Sequence, residues 1–186
     1  MNGRRVPDAV VVPVCKGLRV ILSPIDTERL VLTPLRVDDA RDMVMVLADP
    51  SLYEFTGGEP PTLADLEHRY RAQTAPRSSP DESWCNWIVT SKSSGCAVGF
   101  VQSTIAGHSA DLAWVIGVAD QGQGFASEAT DAVRRWLCAK GVRRFEAHIH
   151  PRHVASQAVA TRVGLRRTGV EDDDGEEIWA SEHAPC

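Results

Sequence analysis

The chain lacks long apolar stretches: no hydrophobic run approaches the roughly 18 uninterrupted positions of a membrane-spanning helix, which excludes a segment of that kind. It also lacks an excess of positive charge. Lys plus Arg is 20 against 25 for Asp plus Glu, a formal net charge of −5, so general affinity for a nucleic-acid backbone is not favoured and an anionic ligand needs a local site. Paired cysteines are missing too. Cys15, Cys85, Cys96, Cys138 and Cys186 are odd in number and widely spread, with no CxxC among them. That usage suits a reducing cytoplasm, the expected location, with buried thiols as the plain reading for most of them. A secretory leader is not expected, because Pro7, Asp8 and Pro13 interrupt the valines that follow Arg4 and Arg5, and no small-x-small cleavage site appears.

The chain does have apolar residues in quantity. At 186 residues and 43% hydrophobic, it can bury roughly two-thirds of its unfolded surface around one core, so one domain is expected. Residues 1–25 show no periodicity and read as an extension, 26–182 as the domain and 183–186 as a tail. Leu30, Leu32 and Leu35 alternate like a short edge strand. Asp38-Asp39 opens a helical pattern through Met43, Val44, Val46 and Leu47 that Pro50 stops. A second helix runs from Thr62, with Asp65 at capping-box spacing, to about Gln73, and Pro76 to Pro80 is a loop.

From Trp84 the period is two, over Trp87–Val89, Ala97–Val101 and Leu112–Ile116, an antiparallel meander. A helix follows Gly124 and closes at Gly141. Arg144–His150 is a strand, Ala155–Val163 a helix, and Leu165–Val170 with Ile178–Ser181 a hairpin around the acidic run Glu171 to Glu177. This order of elements means a mixed α/β (α+β) sheet, not a regular βαβ series.

The chemistry concentrates at Gln121-Gly122-Gln123-Gly124-Phe125-Ala126-Ser127, a loop-to-helix junction. Such a junction leaves the first amides of the helix unpaired at the positive end of its dipole, where a pyrophosphate can sit. Gly124 permits close backbone approach, Ala126 keeps the first turn tight and Ser127 can donate to an oxygen; an ordinary glycine-rich turn is the plain alternative. A Walker loop would need Lys-Ser or Lys-Thr where Phe125-Ala126 stands. A dinucleotide fingerprint ending at Ser127, with Glu146 for a ribose, follows a meander and has too little chain after it for that fold.

Gln-x-x-Gly-x-Ala at 121–126, preceded by Asp111 to Ile116 and followed by the Ala129 to Trp136 helix, resembles motif A of the GNAT (Gcn5-related) N-acetyltransferases. Thr27 to Leu35, Asp38-Asp39-Ala40, Ala48-Asp49-Pro50, Trp87 to Val89, Val98-Gly99, Val154 to Ser156 and Val163 to Leu165 are similar to the subgroup of ribosomal-protein alanine N-acetyltransferases, over about Asp26 to Ala180. The resemblance implies a GNAT fold: a mostly antiparallel sheet with one splayed parallel strand pair, flanked by about four helices. It also implies acetyl-CoA as co-substrate with no metal, and a primary amine as acceptor, either a protein N-terminus or a small molecule. Neither nucleic acid nor membrane is an expected partner, and a homodimer is compatible with it. Transfer is by direct attack in a ternary complex; a non-catalytic acyl-CoA sensor or scaffold is the alternative.

Residue by residue, the resemblance places the pantetheine arm against the main chain of Val115 and Ile116 and the pyrophosphate on Gln121, Gly122, Gln123, Gly124, Ala126 and Ser127. His153 stands where the family has Asn, as a further contact. Asp111 is the first choice of general base, through water, with a solvated strand end as the alternative. Ser156 is the group near the sulfur, a proton donor or positioning hydroxyl, with a helix cap as the alternative. His148, His150 and His153 have a metal-like spacing without a fourth ligand. The acidic run reads either as a solvated turn or as a rim that attracts a cationic amine. Trp84, Trp87 and Trp114 read as core.

Overall fold

A computed structural model describes residues 10–12, 20–75 and 82–181, with side chains from residue 21 onward. The expected loop at Pro76–Pro80, the tail 183–186 and most of the 1–25 extension lie outside those residues. Ten strands are described: β1 (Val10–Val12), β2 (Val20–Leu22), β3 (Ile25–Asp26), β4 (Leu30–Pro34), β5 (Ser83–Ser91), β6 (Ala97–Ala106), β7 (Ser109–Ile116), β8 (Arg144–Ile149), β9 (Leu165–Glu171) and β10 (Glu177–Ser181). The helices are α1 (Ala40–Val46), α2 (Leu63–Thr74), α3 (Phe125–Ala139) and α4 (Val154–Arg162). β1 pairs with β2, and the other eight strands form one sheet in the order β3-β4-β5-β6-β7-β8-β10-β9. Every pair is antiparallel except β7 with β8, which is parallel, so the expected mixed sheet with one parallel pair is the observed architecture.

The alternation of the strands decides what each face buries. On β5, Trp87 and Val89 point into a core shared with Ala129, Val133 and Leu137 of α3 and Val159 and Ala160 of α4. Ile88 points the other way, to Met43 of α1 and Leu66 and Tyr70 of α2. Both faces are covered, which is why every residue of β5 is buried or half-buried, polar ones included. Trp87 is wholly buried, and its indole Nε1 donates to the Ser23 carbonyl at 3.2 Å. Trp136 meets it edge-on at 5.3 Å and donates to Ser23 Oγ at 3.2 Å. With Leu22 also buried, residues 22–25 are packed onto the core, a contact that the aperiodic sequence there gives no sign of.

The helix limits follow from local chemistry. Thr62 caps α2 by accepting from the Asp65 amide while Asp65 accepts from the Thr62 amide, as the spacing predicts. Asp38-Asp39 forms a 3₁₀ turn ahead of α1, and Pro50 opens another, Pro50–Tyr53, whose Asp49 cap accepts from the Ser51 amide. At the end of α3, Gly141 donates to Cys138 and Val142 to Leu137, with Gly141 at φ 100°; this is a Schellman closure. Cys85 is a buried free thiol that burial pushes up to about 12, and Cys96 is an exposed one. Cys138 is disulfide-bonded, against the reading of it as a buried thiol. No helix among the described residues is long and apolar enough to cross a membrane.

Two features of the sheet position the site. β7 and β8 are in register only from Ser109 with Arg144 to Asp111 with Glu146, although β7 continues to Ile116 and β8 to Ile149. Beyond Asp111 they part, leaving a wedge. β10 pairs with β8 on its far side, with Ile178 opposite His148 and Glu177 opposite Ile149, so the turn before β10 returns to the open end of that wedge.

Candidate active site

A cleft of about 620 Å³ occupies the wedge. One wall is Leu112 to Ile116 of β7, the other His148, Ile149 and His150 with the start of α4. Gly99 of β6 shapes the first wall, because a Cβ there would run into the Val115 carbonyl oxygen. The floor is the loop from Asp120 to Ser127. Gly122 and Gly124 adopt φ 74° and 81°, and Gly124 is the N-cap of α3, so the first amides of a fifteen-residue helix open toward the cleft. Ser127 Oγ is buried there without a hydrogen-bond partner, and Ser127 lines the cleft. A buried hydroxyl left in that condition costs free energy unless a ligand oxygen meets it.

The loop is anchored from a distant strand. Gln121 Nε2 donates to the Ile116 carbonyl at 3.0 Å, folding that side chain back onto β7. Arg29 Nη1 donates to the Gln123 carbonyl at 2.9 Å, and its guanidinium lies 4.9 Å from the centre of the Phe125 ring. The same guanidinium pairs with Glu128 at 2.7 Å, and Thr27 Oγ1 donates to Glu128 at 2.6 Å. Burial works against the Glu128 charge, but the hydrogen bonds from Thr27 and Arg29 outweigh it and hold the carboxyl below its ordinary range. The only first-turn acid of α3 is thereby neutralised beside the loop.

Of the residues expected to act, Val115, Ile116, Gln121, Gly122, Gly124, Ala126, Ser127, His153 and Ser156 all line this cleft. Gln123 and Asp111 do not. Asp111 sits at the last position of β7 that pairs with β8; the residue is exposed overall, but partial burial of its carboxyl, with Glu146 and Glu82, raises the pKa against His148. Ser156 Oγ is 3.5 Å from His153 Nε2, and the His153 ring stacks on Phe55 at 4.6 Å. Burial, helped by His150, lowers the His153 pKa, so this imidazole is neutral near pH 7. Trp114, read as core, is partly buried and also lines the cleft.

Several residues that line the cleft were not expected from the sequence. Leu52, Glu54 and Phe55 follow α1 and close one side, and no sequence signal marks them. His148 Nδ1 lies 2.6 Å from Asp172 Oδ2, which brings the acidic turn against the cleft wall, and Glu176 lines the cleft itself. The acidic run is therefore not all solvated turn. The three histidines do not gather: His150 and His153 flank Phe55, while His148 faces Asp172. The one group of three metal-type side chains that converges among the described residues is Asp111, Glu146 and His148, within 4.8 Å of one another, and Glu146 there pairs with Arg144 at 2.6 Å.

A family model described as an acetyltransferase (GNAT) domain matches residues 29–166. The chain belongs to the GNAT acetyltransferases. Solved structures agree on the fold. A GNAT-family acetyltransferase from Bacillus anthracis shares 18% identity at a TM-score of 0.72, covering 84% of this chain and 95% of that one. A ribosomal-protein-serine acetyltransferase-like protein from Vibrio cholerae shares 21% at 0.70, covering 84% and 95%. An aminoglycoside acetyltransferase in complex with coenzyme A shares 19% at 0.67, covering 82% and 94%. Among curated proteins none matches by sequence. This GNAT acetyltransferase thus carries the expected fold, with a cleft where its parallel strands part.

Proposed function

We propose that the protein moves acetyl from acetyl-CoA to a primary amine, in one ternary complex and without a covalent enzyme intermediate. The observation that carries this reading is the wedge that opens on a glycine loop holding a buried, unpartnered Ser127 hydroxyl. Those residues fit an acyl-CoA. The loop amides at the α3 N-terminus and Ser127 would receive the pyrophosphate, and main-chain groups of β7 that face the gap from Leu112 onward would receive the pantetheine amides. The reaction needs a proton taken from the acceptor ammonium, an oxyanion stabilised and a thiolate protonated. Open amides of β7 are the oxyanion donors, and Ser156, beside the neutral His153, supplies the hydroxyl at the sulfur end. Asp111 does not line the cleft but lies within 4.8 Å of His148, which does, so it is the carboxylate toward which the ammonium proton leaves through an intervening group.

The acceptor side carries Glu54, Asp172 and Glu176, which favours a cationic amine, a protein N-terminus or a small polyamine-like molecule. The test mixes the protein with acetyl-CoA and an amine panel and follows free thiol. Amine-dependent thiol release supports the transferase; acetyl-CoA binding without any release makes the chain an acyl-CoA binder instead.

A further inference from the structure

Asp111 is exposed and off the cleft wall, yet a proton has to leave the cleft. Between the two stands His148, on the same face of β8 as Glu146, which is in register with Asp111. His148 lines the cleft. A ring nitrogen of it lies within 4.8 Å of carboxylate oxygens of both Asp111 and Glu146. Asp172 Oδ2, at 2.6 Å from Nδ1, fixes the ring orientation and keeps the proton on Nδ1, while Nε2 makes no hydrogen bond to the described residues. Asp172 is itself held, accepting through Oδ1 from the Asp174 and Glu176 amides. The arrangement is a carboxylate–imidazole pair at the cleft lining, about a third exposed at the ring, with a fixed carboxylate on Nδ1, an open second nitrogen and the Asp111 carboxylate nearby.

We propose that His148 is the group that takes the proton from the acceptor ammonium, with Asp172 as its positioning residue and Asp111 as the carboxylate that stabilises the resulting imidazolium. The inference rests on the transferase reading above and names the intervening group that reading requires. In the step, an N–H bond of the ammonium breaks and the proton forms an N–H bond at His148 Nε2. The freed amine lone pair attacks the thioester carbonyl, and the second amine proton ends on the departing thiolate. The imidazolium then loses its proton toward Asp111 and solvent, so one proton is released per transfer.

The surrounding charges set the direction of the titration. Burial works against a charged ring, but the Asp172 hydrogen bond and the charges of Asp111, Asp172 and Glu176 outweigh it and raise the His148 pKa above its ordinary value. Glu146, the remaining carboxylate on this face, is paired with Arg144. A base must be neutral to act, so the acid limb of kcat/KM, which reports the free protein, is expected above that of an unperturbed histidine, and removing a neighbouring carboxylate should move it down.

The experiment has two arms on the full chain. The first follows the His148 ring by NMR through a pH titration, without acceptor, in the parent protein and in Asp172→Asn and Asp111→Asn. Both variants should titrate at lower pH than the parent; unchanged titration in both overturns the arrangement of charges. The second measures pH profiles of thiol release from acetyl-CoA with spermidine, kanamycin and a seryl peptide as probe amines. His148→Gln should lose at least about tenfold in kcat together with the acid limb while the acetyl-CoA KM stays within about twofold, and Asp172→Asn should shift the limb to lower pH. A His148→Gln protein that keeps the parent kcat and acid limb overturns the inference and leaves the transferase standing. No thiol release by the parent with any of the three amines, despite bound acetyl-CoA, counts against the transferase reading itself.

Discussion

The half of the cleft at the α3 N-terminus is made by one continuous stretch, Val115 to Ser127, whereas the half beside β8 is assembled from four segments: the turn after α1, the end of β8, α4 and the acidic turn before β10. The first works mainly through backbone: two left-handed glycines, helix amides and one hydroxyl. The second works through side chains whose charge depends on pH: His148 is raised by its Asp172 hydrogen bond and nearby carboxylates against burial, Asp172 is lowered chiefly by the His148 hydrogen bond, and Glu176 is raised chiefly by burial. A backbone site has its chemistry set by local conformation. A side-chain site has its chemistry set by whichever distant strand is paired next to it, here β10 inserted between β8 and β9.

The largest expected effect breaks the backbone half alone. Gly124→Glu puts an L-residue at φ 81° and a negative charge at the helix N-terminus. It should abolish acetyl-CoA binding in calorimetry, with the far-UV spectrum unchanged. Gly124→Ala separates the two causes. It carries only the left-handed strain, about 1 kcal/mol of stability, and its Cβ would sit 3.5 Å from Arg29 Nη2, an ordinary contact, so binding should weaken without disappearing.

Next come the groups that serve the reacting atoms. If, as proposed, the Ser156 hydroxyl serves the thiolate and not the ammonium, Ser156→Ala should slow transfer by roughly tenfold and leave the acid limb of the pH profile in place. An unaltered rate removes Ser156 from the reaction; the helix-cap alternative is not what the structure has, since His153 holds the N-cap position of α4 and no side chain caps it. Arg29→Ala should be smaller and of a different kind. It releases the Gln123 carbonyl and leaves Glu128 unpaired beside the loop, so the acetyl-CoA KM should rise a few-fold with kcat nearly unchanged; about 1 kcal/mol is the expected scale because the guanidinium is roughly half exposed. A change in kcat without one in KM would move Arg29 out of the loop's support.

The legible parts of the sequence were those whose signal is local. The glycine loop, the Thr62–Asp65 box and the Gly141 closure each lie within a few residues, and all three take the expected geometry. The period of two over Trp87–Val89 gave the strand, and its two-sided apolarity is explained by helices on both faces. Arg29 was not readable as an anchor because its partners lie about a hundred residues away, beyond any periodicity. Nor was Asp172: an acidic run carries no information on which of its carboxylates folds back, and that is settled by the pairing of Ile178 with His148. Asp111 matches the family pattern, and it stays off the cleft lining because it is the last residue of β7 still paired with β8, before the two strands part.

The smallest expected effect concerns stability. The His148 pKa is raised on folding, so this residue's contribution is full below the unfolded value near 6.5 and is lost as pH rises through the higher folded value. Melting temperature measured from pH 6 to 8 should therefore decline slightly more in the parent than in His148→Gln, and parallel curves would show that the pair with Asp172 adds nothing to the fold.

We place acetyl-CoA in the wedge between β7 and β8 that ends at the glycine loop, and a crystal structure of the protein soaked or grown with acetyl-CoA is the sharpest check of that placement. The pyrophosphate is expected on the Gly124 amide and Ser127 hydroxyl and the pantetheine arm between the parted strands, with the thioester near Ser156. Acetyl-CoA bound elsewhere, with the Ser127 hydroxyl still buried and unpartnered, would contradict it.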